Sequence, residues 1–189
     1  QENEQVENNQ NGEEGDEIIR AMEERRSVRK FKSDIVPKEV IEQIIEAGLY
    51  AASGMGKQSA IVVAVTKKEL RDKIAEDNRK IGGWGEGFDP FYGAPVILMV
   101  LGNKEVPTHA YDGSLMMGNL MLAEHSLGLG SIRIHREKEE LEMDEYKELL
   151  KSLGVEGEWE GIGHCAIGYA DGNLPAAAAR KENRVFWAE

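Results

Sequence analysis

At 189 residues, with 41% apolar and 31% charged side chains, the chain has the length and composition of one globular domain with a substantial core. Its formal charge of -12 is unevenly placed: residues 1–17 hold seven acids and no base, and the remainder carries 28 acids against 23 bases, a net charge of -5. The body is thus only mildly acidic, and apart from a local run at 25–30 nothing in it suggests the clustered positive surface that nucleic acid or an anionic membrane demands. No apolar run is long enough to span a bilayer, and the lone Cys165 excludes an intrachain disulfide framework and fits a reducing compartment.

Residues 1–15 lack apolar periodicity and read as a disordered acidic tail. The first residue is Gln and not Met, which implies an upstream segment removed; a polar, acidic leader of this kind is compatible with an exported protein tethered through that segment. Asp16 is then expected to cap a short helix with Ile18, Ile19 and Met22 turned inward. This helix delivers Arg25-Arg26-Ser27-Val28-Arg29-Lys30-Phe31, four cations and a hydroxyl in seven residues. Guanidinium groups form planar, bidentate, charge-assisted bonds that suit phosphate, and in an extended segment Arg25, Ser27 and Arg29 share one side. A solvated basic helix end is the alternative reading of the same heptapeptide.

Pro37 suits a first helical position, and Val40, Ile41, Ile44, Ile45 and Leu49 follow on one helical face that leads into Ala51-Ala52-Ser53-Gly54-Met55-Gly56-Lys57-Gln58. Residues 60–66 and 94–101 are short, apolar, β-branched runs expected as buried strands, with a charged helix over 67–80 between them. The following stretch, 81–93, has five glycines and four aromatics in thirteen residues, and reads either as a mobile surface loop or as a lid over a substrate. Its glycines are no dinucleotide fingerprint, because they do not sit between a strand and a helix.

Residues 110–129 form a helix that is apolar almost all round, with Leu115, Met116, Met117, Leu120, Met121 and Leu122, so burial on most faces and a place in an oligomer interface are expected. A short strand over 131–134, one charged helix over 137–153, a buried strand over 161–169 and an extended C-terminal arm ending Val185-Phe186-Trp187 complete the chain. His109, His125 and His164 show no metal-ligand spacing and read as surface or satisfied core groups. His164 and Cys165 are strand neighbours that point to opposite faces, which argues against a thiol hydrolase. The pattern of strands and helices is α+β, with residues 16–189 as the domain.

The ordered series Arg-Arg-Ser-Val-Arg-Lys-Phe (25–31), Ala-Ala-Ser-Gly-Met-Gly-Lys-Gln (51–58), Leu-Gly-Leu-Gly-Ser (127–131) and Gly-Tyr (168–169), with Pro90-Phe91-Tyr92-Gly93-Ala94-Pro95 leading into a strand, resembles the nitroreductase family over about residues 16–189. The resemblance implies a three-layer sandwich, a central mostly antiparallel sheet flanked by helices, with the C-terminal arm extending onto the partner chain. It further implies a cytoplasmic homodimer with FMN at the interface, which takes hydride from NAD(P)H and reduces nitroaromatics, quinones or similar small acceptors by a ping-pong mechanism. Reductive dehalogenation or flavin breakdown on a related fold, and a flavin-binding redox module without turnover, are the alternatives. By the same resemblance Arg25, Arg26 and Ser27 hold the FMN phosphate and ribityl chain, and Arg180 supplies a further phosphate-binding cation. Arg29 lies beside the N1/C2 carbonyl edge, where a fixed cation stabilises the negative charge left by two-electron reduction. Ser53, Gly54, Met55 and Gln58 form the motif that reaches the flavin from the partner chain, and the backbone amides of His135 and Arg136 approach flavin N5. No metal and no side-chain nucleophile is called for. Gly56, Ser59 and Ala60 depart from the usual Asn, Pro and Trp, and Arg133 stands where a Trp is common.

Overall fold

The computed structural model describes residues 15–189; the acidic tail expected over 1–15 therefore lies outside the described residues except for Gly15, which is already helical. Helix α1 runs over 15–24, so Asp16 sits inside the helix and not at its cap. After a basic extended segment come α2 (Lys38–Leu49), a 3-10 turn (Gly54–Gly56), β1 (Ala60–Val65), α3 (Lys68–Gly82), β2 (Val96–Asn103) and α4 (His109–Ser126), then β3 (Gly130–Ile134), α5 (Glu137–Glu140), α6 (Asp144–Ser152) and β4 (Trp159–Gly168).

The four strands form one antiparallel sheet in the order β1-β2-β4-β3. Because β2 and β4 lie in the middle, both faces of each must be apolar, and β2 is buried from Val96 to Gly102. Alternate residues feed two cores. Val63, Val65, Ile97, Met99, Ile132 and Ile134 pack on one face with α3, α5 and α6, while Val96, Leu98, Val100 and Ile167 pack on the other with α2 and α4. This is the expected three-layer α+β sandwich. No described helix is long and apolar enough to cross a membrane.

Three expectations change. The single helix over 137–153 is two helices, broken at Leu141–Met143, because its two halves answer to different neighbours. Within α5, Glu137 accepts from Gly163 N–H (2.7 Å) and Glu140 meets His164 Nε2 (2.5 Å), whereas in α6 Tyr146 donates to Asp77 of α3 (2.7 Å). Ile18, Ile19 and Met22 of α1, expected inward, are 54–58% exposed, since nothing among the described residues covers that face. Helix α4 buries Met116, Met117 and Leu120 but leaves Tyr111 and Leu115 exposed. Leu49 and Tyr50 at the end of α2 are uncovered too, as are Val185, Phe186 and Trp187 in the arm.

A bulge lies where β2 meets β4: Val100 pairs with Gly163 and Leu101 with Gly161, leaving Ile162 as the extra residue. The bulge seats α5, since a Cβ on Gly161 would lie 2.3 Å from the Glu137 carbonyl oxygen, a backbone atom that cannot step aside. Gly161→Ala is expected to destabilise the fold by about 1–3 kcal/mol through overpacking, read as a lower urea midpoint with an unchanged slope.

Candidate functional site

The basic heptapeptide is extended and not a helix end. Ser27 bridges Ser131 in parallel fashion, Val28 N–H donates to the Ser131 carbonyl (2.9 Å), Phe31 N–H to Tyr92 and Lys32 N–H to Tyr169. Val28 and Phe31 point into the core, and a Cβ on Gly130 would meet Val28 Cγ2 at 2.7 Å, so the strip lies close against β3 only because residue 130 is glycine. Arg25, Arg26 and Ser27 are half-buried and Arg29 is exposed.

Two donors in this strip, Arg25 Nη1 and Arg26 Nε, are buried without a partner among the described residues. Unpaired buried donors are costly, and charged ones more so, which suits a site built for an anionic ligand. Beneath them lies Glu124, fully buried, accepting from the Cys165 thiol (3.1 Å). Burial lifts its carboxyl to about 8, against the pull of Cys165, Ser131 and Arg25. A carboxyl raised in this way offsets less of the positive charge of Arg25 at neutral pH than an ordinary carboxylate would. Ser27, Val28, Arg29 and Lys30 also line a groove of about 270 Å³ with residues 170–175.

At the other end of β3, four residues or about 13 Å away, the chain turns sharply at His135-Arg136. Arg136 adopts a left-handed backbone (φ 76°), and its guanidinium lies 4.4 Å from the Trp84 ring. Asn78 Nδ2 donates to the His135 carbonyl (2.8 Å) and to Glu140 (3.1 Å), and Glu140 continues to the buried His164. Burial, with Glu140 alongside, holds the Glu137 carboxyl well above its ordinary value. The turn is thus fixed from behind by a buried polar network. Arg133 bonds the bulged Ile162 carbonyl (2.7 Å) on the same edge.

The aromatic stretch is tied down. Arg71 bonds Asp89 and the Ala94 carbonyl, Asp89 accepts from Phe91 N–H and Gly93 N–H, and Arg79 holds the Trp84 carbonyl. Trp84, Phe88 and Tyr92 follow one another at 5.1 and 5.9 Å, starting beside Arg136. A freely mobile surface loop does not fit these ties.

Ser53, Gly54, Met55 and Gln58 form a separate loop beyond α2, with Met55 93% exposed. The buried Asp112 of α4 holds it, accepting from Gly54 N–H (2.9 Å), Ser59 Oγ (2.7 Å) and Thr108 Oγ1 (3.0 Å). Burial acts to raise the Asp112 carboxyl, but these donors outweigh it and hold it below its ordinary value. Within one chain, Arg25, Ser27 and the His135–Arg136 turn are thus brought to a single edge strand. Arg180 is not brought to them by any hydrogen bond, since its guanidinium bonds the Ala178 carbonyl. Among the described residues no cluster of His, Cys, Asp or Glu could hold a metal ion.

Residues 22–169 match the Nitroreductase family. The chain belongs to the nitroreductase family. A Bacteroides fragilis nitroreductase solved with bound FMN superposes with a TM-score of 0.81 at 27% identity, covering 92% of this chain and 99% of that one. A Methanothermobacter thermautotrophicus protein named as an NADH dehydrogenase/NAD(P)H nitroreductase is 29% identical over 120 residues, 61% of this chain and 59% of the relative. The FMN reductase [NAD(P)H] of Bacillus subtilis is 29% identical over 140 residues, 62% of this chain and 53% of the relative. The chain thus matches little more than half the length of these two relatives.

Asp112, Glu124, Asn78 and the Glu137–Glu140 pair were not singled out from sequence. The one signal available was the presence of two acids, Asp112 and Glu124, in an otherwise apolar helix of a nitroreductase-like chain. For Glu124 the linkage has a definite sign. A carboxyl raised from 4.5 to about 8 on folding takes up a proton, so its contribution to stability falls as pH rises from about 4.5 to 8 and then levels off. The stability gap between Glu124→Gln and the wild type is expected to widen in favour of the variant across that window, measured by urea unfolding at successive pH values.

Proposed function

We propose that this chain is an FMN-dependent oxidoreductase that acts as a homodimer, takes hydride from NAD(P)H and reduces nitroaromatic, quinone or similar small acceptors. The observation that carries this reading is the pair of buried donors on Arg25 and Arg26, unpartnered among the described residues, at one end of a strand whose other end is the left-handed turn at Arg136. The FMN bound in the Bacteroides fragilis relative and the name of the Bacillus subtilis relative support the same cofactor and donor.

FMN, when bound, supplies the hydride-transfer chemistry. In this reading Arg25, Arg26 and Ser27 hold its phosphate and ribityl chain through charge-assisted bonds, with Arg180 of the arm adding a further cation. Arg29 sets positive charge beside the ring edge where reduction leaves negative charge. The amides of the 135–136 turn, which Asn78 fixes through the His135 carbonyl, would help to hold the flavin. Trp84 and Phe88 cover the acceptor. Hydride donor and acceptor would use the same face in turn, which gives ping-pong kinetics. Exposed Ile18, Ile19, Leu115, Phe186 and Trp187 support the homodimer, since apolar groups in such number mark an interface. The buried, free Cys165 suits a reducing compartment, in keeping with a cytoplasmic location.

Apo protein titrated with FMN, then assayed for NADH or NADPH oxidation with a quinone, tests the reading; a protein that binds no flavin sinks it. Arg25→Glu is expected to weaken FMN binding by about 10- to 150-fold, the equivalent of one charge-assisted hydrogen bond of roughly 1.5–3 kcal/mol, while the unfolding midpoint changes little. Arg29→Ala is expected to shift the two-electron potential of bound FMN to more negative values in a potentiometric titration. An unshifted potential removes Arg29 from that role.

A further inference from the structure

We propose that Asp112 is a positioning residue that acts across the dimer: through the 53–58 loop, Asp112 of one protomer sets how tightly the other protomer's site holds FMN. This rests on the FMN-dependent homodimer proposed above.

The loop is strained. Met55 (φ 53°) and Gln58 (φ 48°) both carry side chains in the left-handed region, with Gly56 (φ 65°) between them. Side chains disfavour that backbone, and it persists where the surroundings over-determine it. The over-determination comes from α4. One carboxylate, Asp112, ties both ends of the loop, through Gly54 N–H on one oxygen and Ser59 Oγ on the other, and Thr108 completes the set. A Cβ at Gly54 would stand 2.3 Å from Thr108 Oγ1, so only glycine lets the loop sit this close. Inside the loop, Ser53 Oγ accepts from Gln58 N–H (3.0 Å). The first turn of α4 is itself fixed to β4 by the His109–Glu160 ion pair, so the carboxylate has little freedom to drift.

All of this holds a tip that touches little of its own chain: Met55 is 93% exposed and the neighbouring Tyr50 81%. A strained loop that is locked at its base and bare at its tip is preorganised for something outside the chain, and preorganisation raises affinity by removing the cost of ordering. The family resemblance gives that outside body as the other protomer's flavin. In this chain the Ser59 hydroxyl, bound to Asp112, fixes the far end of the loop. Asp112 touches neither flavin nor acceptor in this account.

Hybrid dimers separate the possibilities. Differently tagged chains are co-expressed so that Arg25→Glu and Asp112→Asn lie either on the same chain or on opposite chains, and the apo hybrids are titrated with FMN by fluorescence quenching. With the substitutions on opposite chains, both defects fall in one site, and one site per dimer should bind FMN at wild-type affinity. With both on the same chain, each site carries one defect, and no site should bind at wild-type affinity. The Asp112→Asn homodimer should bind FMN about tenfold or more weakly while sedimenting as a dimer. Ser59→Ala, which removes a single bond from the same carboxylate, should weaken binding several-fold and serves in the same hybrids if Asp112→Asn does not fold. One tight site in both hybrids means Asp112 has no such role, and the reversed pattern means the loop serves its own chain; either overturns the proposal. Wild-type protein that binds no FMN fails at an earlier step and overturns the proposed function along with it.

Discussion

The hydrogen bond from Val28 N–H to the Ser131 carbonyl is the constraint on which the site depends. It pins a basic heptapeptide, which could have been a solvated helix end, as an extended strip to the start of edge strand β3, from which it runs on to Tyr92 and Tyr169. Once that strip is in place, Arg25 and Arg26 lie at one end of β3 and the His135–Arg136 turn at the other. The contact needs Gly130, because a Cβ there would run into Val28. Backbone pairing at a sheet edge and one missing methyl group thus fix the length and polarity of the proposed flavin site.

Behind that edge the protein buries several carboxyl groups and uses each differently. Burial lifts the Glu124 carboxyl to about 8, so that it offsets less of the charge of Arg25. Glu137 is pushed well above its ordinary value by burial and by Glu140, yet it caps Gly163 N–H at the bulge. Asp112 goes the other way: three donors overcome its burial and keep it ionised, so that it can hold a strained loop. Acids in an interior are ordinarily a liability. Here they fix the turn and the loop that face the proposed cofactor, and sites of this kind are where perturbed carboxyls concentrate.

The apolar groups left open have a common direction of explanation. Residues Ile18, Ile19 and Met22 of α1, Tyr111 and Leu115 of α4, Leu49 and Tyr50 after α2, and Phe186 and Trp187 of the arm are all uncovered in a single chain. The sandwich has already filled both of its cores, and none of these residues has a place in either. A second copy of the chain is the partner that the proposed shared site requires, and it would cover such surface at the same time.

The sequence by itself determined the α+β class, the four strands to within a few residues, and the family, because apolar runs of strand length and four ordered motifs are local signals that need no partner to be read. It also singled out the heptapeptide, the 51–58 motif and the 127–131 glycines as stretches that carry the family resemblance. Only the tertiary structure decided that α1 turns its apolar residues outward, that the helix over 137–153 breaks in two, and that the aromatic loop is tied to Arg71 and Asp89. These outcomes depend on what lies opposite, and periodicity along a chain says which residues share a face but not what that face meets. Asp112 shows the limit most plainly. In sequence it is one acid in an apolar helix, 58 residues from Gly54; its role exists only because α4 crosses the end of α2 and brings the carboxylate to both ends of a loop that no local pattern connects to it.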